Sequence, residues 1–282
     1  MKKQIVLAFS AIALVAVLFI FGRTVATKTN TPATIQQPAV SSFDIKQFIL
    51  KSKAQLSPYQ NISLSKLENS VTRGDVVSQQ IAAYNQLAAF WKDSARIFEP
   101  YAYYLSEGAK LDNSEKNLTF AAQLILNNLR FEQDDAKLSW ESALAAELFE
   151  KAIQINPSND DLKIGLGSCY IFGKGRNGST EETMKGIQQL LSVVRKDSTN
   201  MKAQMMLGLG GLVSGQYDKA IERLNKVVNA EPSNMEAIEY LANAYAANGK
   251  KPEAVKWFKI LRRMDNSPEF LKQVDEKIKS LE

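Results

Sequence analysis

Residues 201–266 hold one pattern written twice, 34 residues apart. Leu207, Gly208, Gly215, Ala220, Ile221, Leu224 and Val227 recur as Leu241, Ala242, Gly249, Ala254, Val255, Phe258 and Leu261. A repeat this short cannot enclose its own core, so neighbouring units must stack and share one. Small residues at Gly208, Ala220, Ala242 and Ala254 suit a close approach of two helices, with Leu207, Leu224, Leu241, Tyr245 and Phe258 as the filling. Gly215 and Gly249 fall where a first helix must end, and Asn200 and Asn234 where one must begin.

The period and the pattern resemble the tetratricopeptide repeat, a helix-turn-helix unit that stacks into a right-handed solenoid. An earlier copy over 160–200 carries Leu166, Gly167, Tyr170, Gly186, Leu190 and Val193, with its extra residues in the turn around Lys174 to Gly178. Ala145, Phe149, Ala152 and Pro157 match the second half of a further unit. The resemblance implies an all-α fold with a half-repeat over 137–159 and repeats over 160–200, 201–234 and 235–267.

Ahead of these, 43–136 shows helical periodicity with a worn signature. Leu64, Leu67 and Val71 share one face; Val77, Ile81, Tyr84, Ala88 and Trp91 continue at steps of three and four. Period alone leaves two readings, degenerate repeats that begin the same superhelix or a separate small bundle. At the other end, Leu271, Val274, Ile278 and Leu281 give 268–282 one apolar side, as the polar-backed capping helix of an open stack requires.

The N-terminus is of another kind. Ile5 to Gly22 contain no charge after Lys2 and Lys3, which reads as a single transmembrane anchor over 1–23. A cleaved signal peptide, with Thr24-Val25-Ala26 as a weak cleavage site, is the alternative. Residues 24–42 are rich in Thr, Ala, Gln, Ser and Pro and read as a disordered linker. The positive N-tail favours a single-pass orientation in an inner membrane with the C-terminal domain facing the periplasm. Lys2, Lys3, Arg23 and Lys28 also supply most of the net charge of +5; the remainder, 31 basic against 30 acidic residues, carries no footprint for nucleic acid.

The chain has no histidine, and Cys169 is its one cysteine. Imidazole catalysis, His/Cys zinc sites and internal disulfides are thereby excluded. Gly173, Gly175 and Gly178 match a Gly-x-Gly-x-x-Gly string, but a helix rather than a strand precedes it, so it reads as a flexible inter-helix loop with an Asn-Gly turn. Trp91, Phe98, Tyr101, Tyr103 and Tyr104 sit at helical spacing and read as core. No pair of carboxylates stands apart in an apolar setting.

What remains is the groove. By resemblance, the first helices of the repeats line a concave side with Ile164, Ser168 and Ile171, then Lys202, Met205, Leu209 and Leu212, then Glu236, Glu239 and Asn243. The middle set forms an apolar, methionine-bearing strip suited to an amphipathic helix or an apolar peptide, unless the chain's own helices cover it. The layout resembles single-pass tetratricopeptide proteins of Gram-negative bacteria, Bacteroidetes above all. The expectation is a non-catalytic, membrane-anchored scaffold that binds a protein partner, without cofactor or metal. A homo-oligomer is compatible with it, and a secreted soluble binding module and, more remotely, an enzyme are the rivals.

Overall fold

The computed structural model describes residues 43–73 and 76–282. The expected anchor and linker, 1–42, lie outside the described residues. Among the described residues the chain forms thirteen α-helices and no strand. No helix among them is long and apolar enough to cross a membrane.

The first three helices are α1 (Ile45–Lys53), α2 (Pro58–Arg73) and α3 (Val77–Ala89). A π-helical turn, Phe90–Ala95, then leads into α4 (Phe98–Asp112). Next come α5 (Glu115–Leu129), α6 (Asp135–Ile155) and α7 (Asp160–Tyr170), a second π-helical turn (Ile171–Gly175) and α8 (Thr180–Lys196). The last five are α9 (Met201–Val213), α10 (Tyr217–Ala230), α11 (Met235–Ala247), α12 (Lys251–Leu261) and α13 (Pro268–Leu281). Five antiparallel hairpins, α3/α4, α5/α6, α7/α8, α9/α10 and α11/α12, stack in chain order, so the N-terminal helices continue into the repeats through α4 against α5. The stretch 137–159, read from sequence as half a unit, falls largely in α6 and has its first half in α5. The first helices α5, α7, α9 and α11 are neighbours along one side.

Local chemistry places the boundaries. Asn159, Asn200 and Asn234 each accept a backbone N–H of the following turn at 3.0 Å, satisfying a donor the helix leaves free. Gly215 and Gly249 end α9 and α11 with φ of +73° and +74°, where a side chain would be strained. Inside the unit, a Cβ added at Gly208 would stand 2.6 Å from Leu224 Cγ, so the missing side chain sets the α9/α10 spacing. Val274 and Ile278 of α13 close the far end of the core. Arg262 and Asp275 hold α13 to α12 through two bonds of 2.6 and 3.1 Å.

The glycine-rich turn differs from the flexible loop expected of it. A Cβ at Gly173 would fall 2.0 Å from Ser142 Oγ, and one at Gly175 2.6 Å from the Tyr170 carbonyl, so this turn is seated against α6 and α7. From it, Arg176 donates to the carbonyls of Arg130, at 3.3 Å, and Glu132, and so caps the end of α5. Asn177 Nδ2 donates to Asp135 Oδ1, at the start of α6, at 2.7 Å. The seven-residue excess is therefore a strut back to the preceding hairpin.

Candidate functional site

The side formed by α5, α7, α9 and α11 holds a pocket of about 210 Å³. Its floor is Leu126, Ile164, Met205, Met206 and Phe172, and its rim is polar: Gln123 and Asn127 from α5, Arg130 just past its end, Lys202 from α9 and Glu236 from α11. Arg130 and Glu236 form an ion pair across the groove, between residues 106 apart in sequence. Tyr240 braces it from α11, donating to Glu236 Oε1 at 3.0 Å and lying 3.3 Å from the guanidinium. The guanidinium also sits 5.0 Å from the centre of the Phe172 ring, a cation–π contact. Lys202 is held by Asp161 of α7 at 2.8 Å. Each cation of the rim is thus matched by a carboxylate of the chain itself, which leaves a groove mixed in charge with little net field.

The ten residues expected to line the groove divide sharply. Ile164, Ser168, Lys202, Met205 and Glu236 do border the pocket. Ile164 and Ile171 are buried, and Ser168 spends its hydroxyl on the Ile164 carbonyl at 2.8 Å. Met205 and Leu209 are 9% and 8% exposed and belong to the core shared by the last three hairpins, with Leu212 half-buried against it. Glu239 is exposed and Asn243 half-exposed, away from the pocket.

The open apolar strip is accordingly corrected to a nearly covered one: Leu209 and Leu212 pack into the shared core, and Met205 shares the pocket with Leu126 and Arg130. The helical period of 43–136 includes α5 but does not place it at the groove, since nothing local links Arg130 to Glu236. One signal was there: α9 is apolar on every side apart from Lys202 and Gln204, and a helix apolar all round is a buried one.

Behind the rim, Glu141 of α6 is fully buried, and both its oxygens accept from Asn128 Nδ2, at 2.9 and 3.1 Å. Burial pushes its carboxyl up to about 7, against the Asn128 bond, while Glu132 and Glu99 raise it further and Lys137 opposes them. Lys137 itself is bonded to Glu99 and makes no ion pair with Glu141 among the described residues. Cys169 is likewise buried, which raises its thiol and leaves it no thiolate character at neutral pH.

Residues 205–268 match the family model of the tetratricopeptide repeat. The chain carries tetratricopeptide repeats. BBSome complex member BBS4 of Bos taurus is 30% identical over 105 residues, 37% of this chain and 19% of that protein. Its counterpart in Mus musculus is 30% identical over 101 residues, 36% and 18%. The chain therefore spans about a fifth of the length of the curated relatives it matches. Among solved structures, a tetratricopeptide repeat protein from Parabacteroides merdae superposes with a TM-score of 0.54 at 15% identity, covering 84% of this chain and 86% of its own. A thermophilic tetratricopeptide repeat protein of Thermus thermophilus gives 0.51 at 14% identity, covering 71% and 98%. At these identities the likeness is one of fold, and it runs well beyond the residues matched by the family model.

Proposed function

We propose that this protein is a non-catalytic scaffold whose groove between α5, α7, α9 and α11 receives a segment of a partner protein. The Arg130–Glu236 pair carries the reading. It is a half-exposed ion pair laid over an apolar floor, so an incoming chain can exchange its own polar groups for those of the pair while covering Phe172 and Met206. Apolar residues 5–22 support a membrane anchor that would hold this groove outside the cytosol, on the periplasmic side of an inner membrane. A soluble form released by signal cleavage is the alternative, and the intact mass of the native protein separates the two.

Photocrosslinking tests the groove. A photoreactive residue replacing Gln123, on the rim, is expected to capture a defined partner, whereas one replacing Lys226, exposed on α10, is not. Equal capture from both positions, or none from Gln123, would sink the assignment.

A further inference from the structure

A second pocket, of about 330 Å³, lies apart from the groove, between α1, α2, α3 and α4. Its volume is at the lower end of small-molecule sites, roughly 300 to 1,000 Å³. Ile49, Val71 and Leu87 give it an apolar floor, continuous with the core that contains Leu64 and Trp91. Tyr84, Tyr103 and Tyr104 supply an aromatic wall, with ring centroids 6.3 Å apart for Tyr84 and Tyr104 and 5.1 Å apart for Tyr103 and Tyr104. The short helix α1 forms the remaining wall with Lys46 and Lys53. Lys53 is fixed by Glu68 of α2 at 2.6 Å.

The polar inventory of this pocket is lopsided. None of the three phenol hydroxyls has a hydrogen-bond partner among the described residues, and the Lys46 ammonium makes no ion pair among them. Burial, with Glu107 beside Tyr84 and Tyr103 and Glu68 beside Tyr104, raises all three phenols, so each remains a neutral donor at physiological pH. The single carboxylate of the lining, Glu68, is already committed to Lys53. The lining thus offers donors in excess of acceptors; two lysines against one glutamate leave it one positive charge, and Glu107, outside the lining, is paired with Lys110. Unpaired donors beside apolar surface are costly to cover unless the covering group accepts their protons.

From this convergence we infer that the pocket under α1 is a binding site for a small amphiphilic monoanion, a carboxylate on an apolar body. The body lies on Ile49, Val71, Leu87 and the tyrosine rings. The carboxylate takes the Lys46 ammonium and the phenol hydroxyls. The site is compact and bounded by four helices, which favours a small molecule over an extended chain. It does not depend on what the groove binds.

Isothermal titration of the full chain with octanoate tests the inference, with octan-1-ol and octylamine as isosteres of other charge. Saturable octanoate binding is expected, with the alcohol weaker by about tenfold and the amine weaker still, the margin of a charge-assisted hydrogen bond. Lys46→Met is expected to weaken octanoate by about tenfold, and Tyr84→Phe and Tyr104→Phe by about three- to tenfold each, since each removes a donor and keeps the ring. Lys226→Ala, exposed on α10, is expected to change nothing. Circular dichroism of each variant reports whether the fold is retained. Absence of saturable octanoate binding, indifference to all three pocket substitutions, or equal binding of the three isosteres would overturn the proposal. Stronger binding of an apolar peptide with a free C-terminus than of octanoate would reassign the pocket to protein recognition and overturn it too.

Discussion

The hairpins α9/α10 and α3/α4 solve the same packing problem with opposite materials. In α9/α10 the interface is built by omission: a Cβ at Gly208 would meet Leu224 at 2.6 Å, and one at Gly211 would meet Ala220 at 3.1 Å. In α3/α4 it is built by filling, with Trp91 wholly buried and Tyr84, Tyr103 and Tyr104 partly so. Gly108 there has its nearest neighbours at 3.1 and 3.4 Å, the nearest being the Asn85 side-chain oxygen. Small residues fix the distance between helices and leave little slack. Large rings meet less completely; Trp91 Nε1 is buried without a partner, and a pocket opens beside the tyrosines. The regular end of the stack is therefore intolerant of added atoms, and the irregular end has room for a guest.

The largest effect should come from charging the tight end. Met205→Glu with Leu209→Glu puts two carboxylates into the core shared by α7 to α13, and the expected outcome is loss of cooperative unfolding by circular dichroism, because desolvating each charge costs several kcal/mol or more. A double variant with a near-native thermal midpoint would show that the strip is surface after all. Next, Gly165→Ala places a Cβ 2.4 Å from the buried Phe149 ring and should lower the urea midpoint by the equivalent of about 3 kcal/mol. An unchanged midpoint would mean that the two helices can separate at little expense.

Glu141 sharpens the comparison through pH. Between the ordinary glutamate range and about 7, the folded chain keeps a proton on Glu141 that the unfolded chain has released. Its neutral form therefore contributes stability that is complete below the ordinary range and is lost as pH rises through about 7. Glu141→Gln, which keeps an acceptor for Asn128, is expected to stabilise the protein at pH 8 by at most about 3 kcal/mol, with the gain gone near pH 4. Urea titrations at the two pH values check this, and a gain of equal size at both would place the origin elsewhere. The smallest effect is expected at Gly108→Ala, where the Asn85 side chain can move aside and alanine favours the helix. A change within about 1 kcal/mol, of either sign, is the expected result. A cost matching that of Gly165→Ala would erase the distinction between the two ends.

The same contrast explains what could be read from the sequence. The 34-residue recurrence of leucine, glycine and alanine legibly encodes α9 to α12, because spacing by omission demands small residues at fixed positions. The first half of the α5/α6 unit carries almost none of that code, and its placement comes from contacts. The groove was misread for a related reason: periodicity assigns Met205 and Leu209 to one stripe but does not say what faces the stripe. For Met205 that depends on Leu126 and Arg130, far away in the chain. The helical spacing of Trp91, Tyr103 and Tyr104 points to aromatic core, correctly for Trp91 and incompletely for the two tyrosines. Helical spacing cannot distinguish a ring that meets another side chain from one that borders a void.

Arg176 bears on the order in which this chain can be completed. In a simple repeat array each unit needs only its neighbours, and local opening can begin anywhere. Here the end of α5 receives its cap from a residue more than forty positions downstream, and the Arg130 beside that cap reaches Glu236 sixty positions further on. During synthesis, α5 and α6 would leave the ribosome as an unfinished corner and wait for Arg176, then for Glu236, before the corner is closed. The three hairpins so joined should open together rather than fray one by one, so that amide exchange at the end of α5 follows the stability of the whole repeat block and not that of its own two helices.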